Sequence, residues 1–77
     1  MEIKVKTKYN ITGRGDVYTL SLKDNNLSNK RKDLSALMGK EVTIDDKKFL
    51  IKGIESMGTW DDEDNDSVAF LVKEIVQ

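Results

Sequence analysis

The stretch Lys40-Glu41-Val42-Thr43-Ile44-Asp45-Asp46-Lys47-Lys48-Phe49-Leu50-Ile51-Lys52-Gly53-Ile54-Glu55 decides the fold. Val42 and Ile44 alternate with polar residues before a charged connection, and Phe49 and Ile51 alternate after it. Alternation at period two places one set of side chains on a buried face, and a short polar connection lets two such runs pair. The stretch therefore predicts a β hairpin that turns at Asp45 to Lys48.

Working outward, residues 2–11 alternate over a longer span. Ile3, Val5, Thr7, Tyr9 and Ile11 fall in one phase, and Glu2, Lys4, Lys6, Lys8 and Asn10 in the other. This predicts a half-buried strand with a lysine face, which also guards a sheet edge against pairing with other chains. Gly13-Arg14-Gly15-Asp16 punctuates the chain, its glycines suited to positive φ. Val17 to Leu22 follows as a second strand, with Tyr18, Leu20 and Leu22 inward. Lys23 to Lys32 is polar and asparagine-rich, and reads as loop. Leu34, Leu37 and Met38 share one helical face and Gly39 stands at the capping position, so a short helix is expected near residues 31–38, with Ser28, Asn29 or Asp33 as its N-cap. Ser67 to Val76 forms the last strand, its centre apolar on both faces, to be covered on both sides or paired with a second copy. Tyr9, Tyr18, Phe49 and Phe70 all lie in apolar phase and are expected in the core. The sum is an all-β (mainly β) protein: a single small domain spanning 1–77, a small antiparallel five- to six-stranded barrel or rolled sheet with one short helix.

Composition narrows the function. Seventy-seven residues contain no cysteine and no histidine. Disulfides and thiolate metal sites are excluded, as is the side chain that most often moves protons at neutral pH. The serines have no histidine to activate them, so no enzyme activity, catalytic residue or cofactor is expected. No apolar run approaches the ~18 residues of a membrane span, and the N-terminal residues lack a signal-like apolar core. The expected setting is cytoplasmic, without membrane partners.

The net charge of −1 conceals an asymmetry. Asp61, Asp62, Glu63, Asp64 and Asp66 fall within six residues; without those five, 13 bases face 9 acids. Asp62, Asp64 and Asp66 match the first ligand positions of a calcium loop. Ser67 stands where its glycine belongs and Lys73 where its closing glutamate belongs, so no metal site is expected. The second reading of the tract is a protein contact. Trp60 anchors it, and Asp61, Asp62, Glu63, Asp64 and Asp66 imitate a phosphate backbone toward the basic groove of a nucleic-acid enzyme. The alternative partner is RNA or DNA, held on Lys4, Lys6 and Lys8 with Lys30, Arg31 and Lys32. Arg14-Gly15-Asp16 spells an adhesion tripeptide that its turn glycines already explain.

Gly13-Arg14-Gly15, Val17, Gly39-Lys40-Glu41-Val42-Thr43-Ile44, Ile51-Lys52-Gly53-Ile54-Glu55 and Val68-Ala69-Phe70-Leu71-Val72 keep an order. That order resembles the second-domain β-barrel of translational GTPases such as elongation factor Tu. The resemblance covers most of residues 12–75. It implies a freestanding barrel without GTP chemistry, because Gly39-Lys40 lacks the upstream glycine and following Ser or Thr of a P-loop. The helix and the acidic tract depart from that barrel, and no tRNA-contacting residue carries over. The functional expectation is a non-enzymatic binding module that contacts a protein. In its narrower form it is a phage or prophage accessory protein that inhibits a host nucleic-acid-processing or defence system. A structural component of a larger particle, including a homodimer through Val68–Val76, is the third reading.

Overall fold

The computed structural model describes residues 1–57 and 66–76. Five strands form one antiparallel sheet: β1 (Thr7–Ile11), β2 (Gly15–Ser21), β3 (Glu41–Ile44), β4 (Lys47–Met57) and β5 (Ser67–Glu74). Their order is β1-β2-β5-β4-β3. A 3-10 turn (Lys23–Asn25) and one short helix, α1 (Arg31–Ser35), lie between β2 and β3.

The predicted hairpin is β3–β4. Ile44 pairs with Lys47, so the turn is only Asp45-Asp46, and Lys47 and Lys48 already belong to the strand. Both turn residues hold positive φ, +52° and +66°. That is the signature of a type I′ turn, whose twist matches the strands it joins. The β1–β2 connection uses another device. Arg14 N–H donates to the Ile11 carbonyl at 2.9 Å, and Gly13 sits between them at φ +84°. A type II turn requires such a φ at its third residue, where glycine alone adopts it without strain.

β5 occupies the centre of the sheet, between β2 and β4. Its continuous apolar run follows from that position: Val68, Ala69, Phe70 and Val72 are all buried. The main core gathers Leu20, Leu22, Val42, Ile44, Phe49, Ile51, Val68, Phe70 and Val72, with Ile3 and Leu34 closing it. Tyr18 meets Phe49 edge to face at 5.3 Å between ring centroids, a favoured aromatic geometry.

The two sheet edges are brought together by the first residues of the chain. Ile3 N–H donates to the Thr43 carbonyl and Thr43 N–H to the Met1 carbonyl, each at 2.8 Å, so Glu2 bridges β3 in parallel. A few residues on, Lys6 N–H donates to the Thr19 carbonyl of β2 at 2.7 Å. One segment thus touches β3 and then β2, which rolls the sheet into a barrel. Between these contacts Lys4 has no strand neighbour among the described residues. The Asn25 carboxamide takes that place: its oxygen accepts from Lys4 N–H at 2.7 Å and its nitrogen donates to the Lys4 carbonyl at 3.0 Å.

The single strand expected over 2–11 is therefore two pieces. Lys6 bonds to Thr19 while Thr7 is the register partner of the same residue. Two residues facing one constitute a bulge, and the alternation inverts across it. Ile3 is buried and Val5 packs on the core, but Tyr9 emerges 44% exposed and is not a core residue. Met38 also departs from expectation. α1 ends at Ser35, and the following turn leaves Met38 49% exposed while Leu34 stays buried. The N-cap of α1 is Lys30, without a side-chain bond. Ser28 instead donates to Asp33 at 2.7 Å and accepts from Lys30 N–H at 3.1 Å.

Candidate functional site

The candidate site is the outer face of the sheet, opposite the main core. Its central row is read from the register: Tyr9 pairs with Val17, Val17 with Leu71, and Leu71 with Gly53. Directly paired residues present their side chains to the same face. Met38 completes the row from the turn after α1, its Cε 3.8 Å from where a Cβ on Gly53 would stand. Along the row Val17 is fully buried and Leu71 half-buried, while Tyr9 and Met38 are exposed at its two ends. Beside it runs a small-residue row, Thr7, Thr19, Ala69 and Ser56, in which the Thr7 and Thr19 hydroxyls are hydrogen-bonded.

β4 shapes this face through two bulges. Lys52 and Gly53 together oppose Leu71, and Glu55 and Ser56 together oppose Ala69. Each bulge adds twist and turns an extra side chain outward, here a lysine and a glutamate. Glu55 is held by Arg14, whose guanidinium reaches across from the β1–β2 turn to 2.8 Å. Lys48 pairs with Glu41 at 3.5 Å on the neighbouring strands.

The charged residues singled out in the sequence are distributed differently from expectation. Lys4, Lys6, Lys30, Arg31 and Lys32 are exposed, and Lys8 is separated from Lys4 and Lys6 by the bulge at Lys6–Thr7. Lys8 donates to Asp45 at 2.6 Å, and its ammonium sits 5.4 Å from the Tyr18 ring centroid. The hydrogen bond to Asp45 raises the Lys8 pKa above its ordinary value. Partial burial raises that of Tyr18. The lysine row is thus broken, with one member committed to an ion pair.

Of the acidic tract, Trp60, Asp61, Asp62, Glu63 and Asp64 lie outside the described residues. Asp66 is engaged within the fold. Its carboxylate accepts from the Ser21 hydroxyl at 2.6 Å and from Lys23 N–H at 2.9 Å, and its carbonyl accepts from Leu22 N–H at 2.6 Å. It ties the start of β5 to the end of β2. Among the described residues no group of three or more His, Cys, Asp or Glu is arranged to hold a metal ion, and no helix is long and apolar enough to cross a membrane.

The outer row was not singled out in the sequence. Its signal was present in Tyr9 and Met38, two apolar residues each in phase with a predicted buried face. Only the bulge and the short helix reveal that neither is buried. No family model matches the chain, and no curated protein or solved structure matches it. The resemblance to the elongation-factor barrel rests on the residues quoted for it.

Proposed function

We propose that this protein is a non-enzymatic binding module that works through contact with another protein, using the outer face of its sheet. The observation that supports this is the row Tyr9–Val17–Leu71–Gly53–Met38. A small domain has little apolar material, and here two large side chains stand on the surface in line with the half-buried Leu71. Exposed apolar groups that line up across a sheet are what an interface core is made from, with tyrosine and methionine among its favoured residues.

The test compares partner capture from lysate of the source cells by the wild-type protein and by Tyr9→Ser/Met38→Gln. Both side chains are exposed, so the variant keeps its core. Loss of the same captured proteins from the variant is the expected result. An unchanged set of captured proteins would sink the reading.

The narrower form of the proposal places Trp60 and the acidic tract in the basic groove of a host nucleic-acid-processing or defence enzyme, as a phage or prophage accessory protein would. It is supported by the sequence Trp60-Asp61-Asp62-Glu63-Asp64. It is tested apart from the sheet face, by changing Asp61, Asp62 and Asp64 to Asn and following the salt dependence of capture.

A further inference from the structure

The outer face carries an electrostatic preference as well as an apolar row. Lys48 of β4 is neutralised by Glu41, and Glu55 by Arg14. Two further charges share the face. Lys52 stands at the first bulge, opposite Leu71 with Gly53. Lys73 follows Leu71 by two residues on β5, in the same phase, and pairs with Leu50. Both lysines are exposed, and neither has an ion partner among the described residues. Among the described residues the carboxylate of this phase without an ion pair is Glu2, which lies two strands beyond β4, across β3. The protein as a whole is slightly acidic, so this local positive rim does not follow from composition.

We infer that the occupant of this face is an acidic protein segment: one or two apolar side chains seated between Tyr9 and Met38, flanked by carboxylates that meet Lys52 and Lys73. This rests on the reading of the outer face as a docking surface. Carboxylates on the partner meet the two cations that have no counter-charge among the described residues, and basic flanks are repelled by them. The accessible floor is the half-buried Leu71, because Val17 is fully buried and Met38 already lies over Gly53, and one aromatic residue stands at its edge. Aliphatic side chains fit such a floor, whereas single-stranded nucleic acid needs several aromatic platforms on which to stack.

The test is selection from a library of random 12-residue peptides on the immobilised protein, with counter-selection on Tyr9→Ser/Met38→Gln. The expected winners carry Leu, Ile or Phe within a few residues of Asp or Glu. Their amide shift perturbations map to residues 9, 17, 53 and 71. A Lys52→Glu/Lys73→Glu variant should bind them about fivefold more weakly, the scale of two exposed ion pairs, and that ratio should shrink in high salt. Winners with basic or uncharged flanks, or an affinity indifferent to the lysine variant, would overturn the acidic preference while leaving the docking surface in place. Absence of any peptide that survives counter-selection would overturn the docking surface itself. Tighter binding of a 12-mer oligothymidylate to the same residues would replace a protein partner with nucleic acid.

Discussion

Asp45 and Asp46 hold positive φ, a conformation that costs an ordinary L-residue roughly 1–2 kcal/mol and an aspartate somewhat less. Asp45 also accepts from Lys8, so its carboxylate has a second role. Among the described residues Asp46 has no such second role. Asp46→Gly should therefore stabilise the protein by about 0.5–1 kcal/mol, seen as a higher urea midpoint at unchanged slope. A lower midpoint would show that the Asp46 side chain supports the turn. Lys8 and Tyr18 make a second residue-scale prediction. Both pKa values are raised in the fold, Lys8 by its bond to Asp45 and Tyr18 by partial burial. The fold thus favours the charged ammonium and the neutral phenol. Their contributions are fully present below the ordinary values of 10.5 and 10.0 and are lost as pH rises through the raised ones. The urea midpoint should fall above about pH 10, and Tyr18→Phe/Lys8→Met should flatten that fall. An equally steep fall in the double variant would assign the loss to other groups.

At the scale of elements, the barrel depends on places where strands do not pair regularly. Asn25 is the clearest. Its carboxamide satisfies both backbone groups of Lys4 and also donates to the Ser21 carbonyl at 2.7 Å. Asn25→Ala removes all three bonds from the seam and should cost about 1–2 kcal/mol. Hydrogen exchange of the Lys4 and Lys6 amides should rise more than that of β4. Uniform acceleration would mean the seam is not a local unit. These irregular joints also mark where sequence reading stopped. The β3–β4 hairpin was legible because regular alternation has one reading. So was β5, since a run of consecutive apolar residues needs cover on both faces. The inversion at Lys6–Thr7 was not, because a bulge leaves alternation in the sequence intact while exchanging inside for outside. Tyr9 therefore looked like core, and Lys8 looked like part of one lysine face. The site was hidden for the same reason. Met38 required knowing that the helix stops at Ser35, and the outward placement of Lys52 required the register of β4 against β5.

For the molecule as a whole, the margin is narrow. A domain of this length is expected to be stable by roughly 4–12 kcal/mol. Phe70 is buried at the centre of the middle strand and packs in the main core. Phe70→Ala should cost about 3–5 kcal/mol, enough to populate the unfolded state strongly at 37 °C. A thermal scan by circular dichroism would show a transition lowered by tens of degrees or already begun, on the scale of about 4–8 °C per kcal/mol. A shift of only a few degrees would mean that the barrel repacks around the gap. The same narrowness makes an exposed row of large apolar residues informative, because Tyr9 and Met38 contribute little to the interior.

The position of β5 has a consequence for how the chain is made. The ribosome delivers the strands in numerical order, yet the strand that joins the two halves of the sheet comes fifth. Until it emerges, β1–β2 and β3–β4 lack the strand that lies between them and are held to each other by short bridges such as those of Ile3 and Lys6, and two-stranded pieces are marginal in water. Nascent chains halted after Met57 should therefore remain protease-sensitive. Protection should arrive in one step once Glu74 has cleared the exit tunnel.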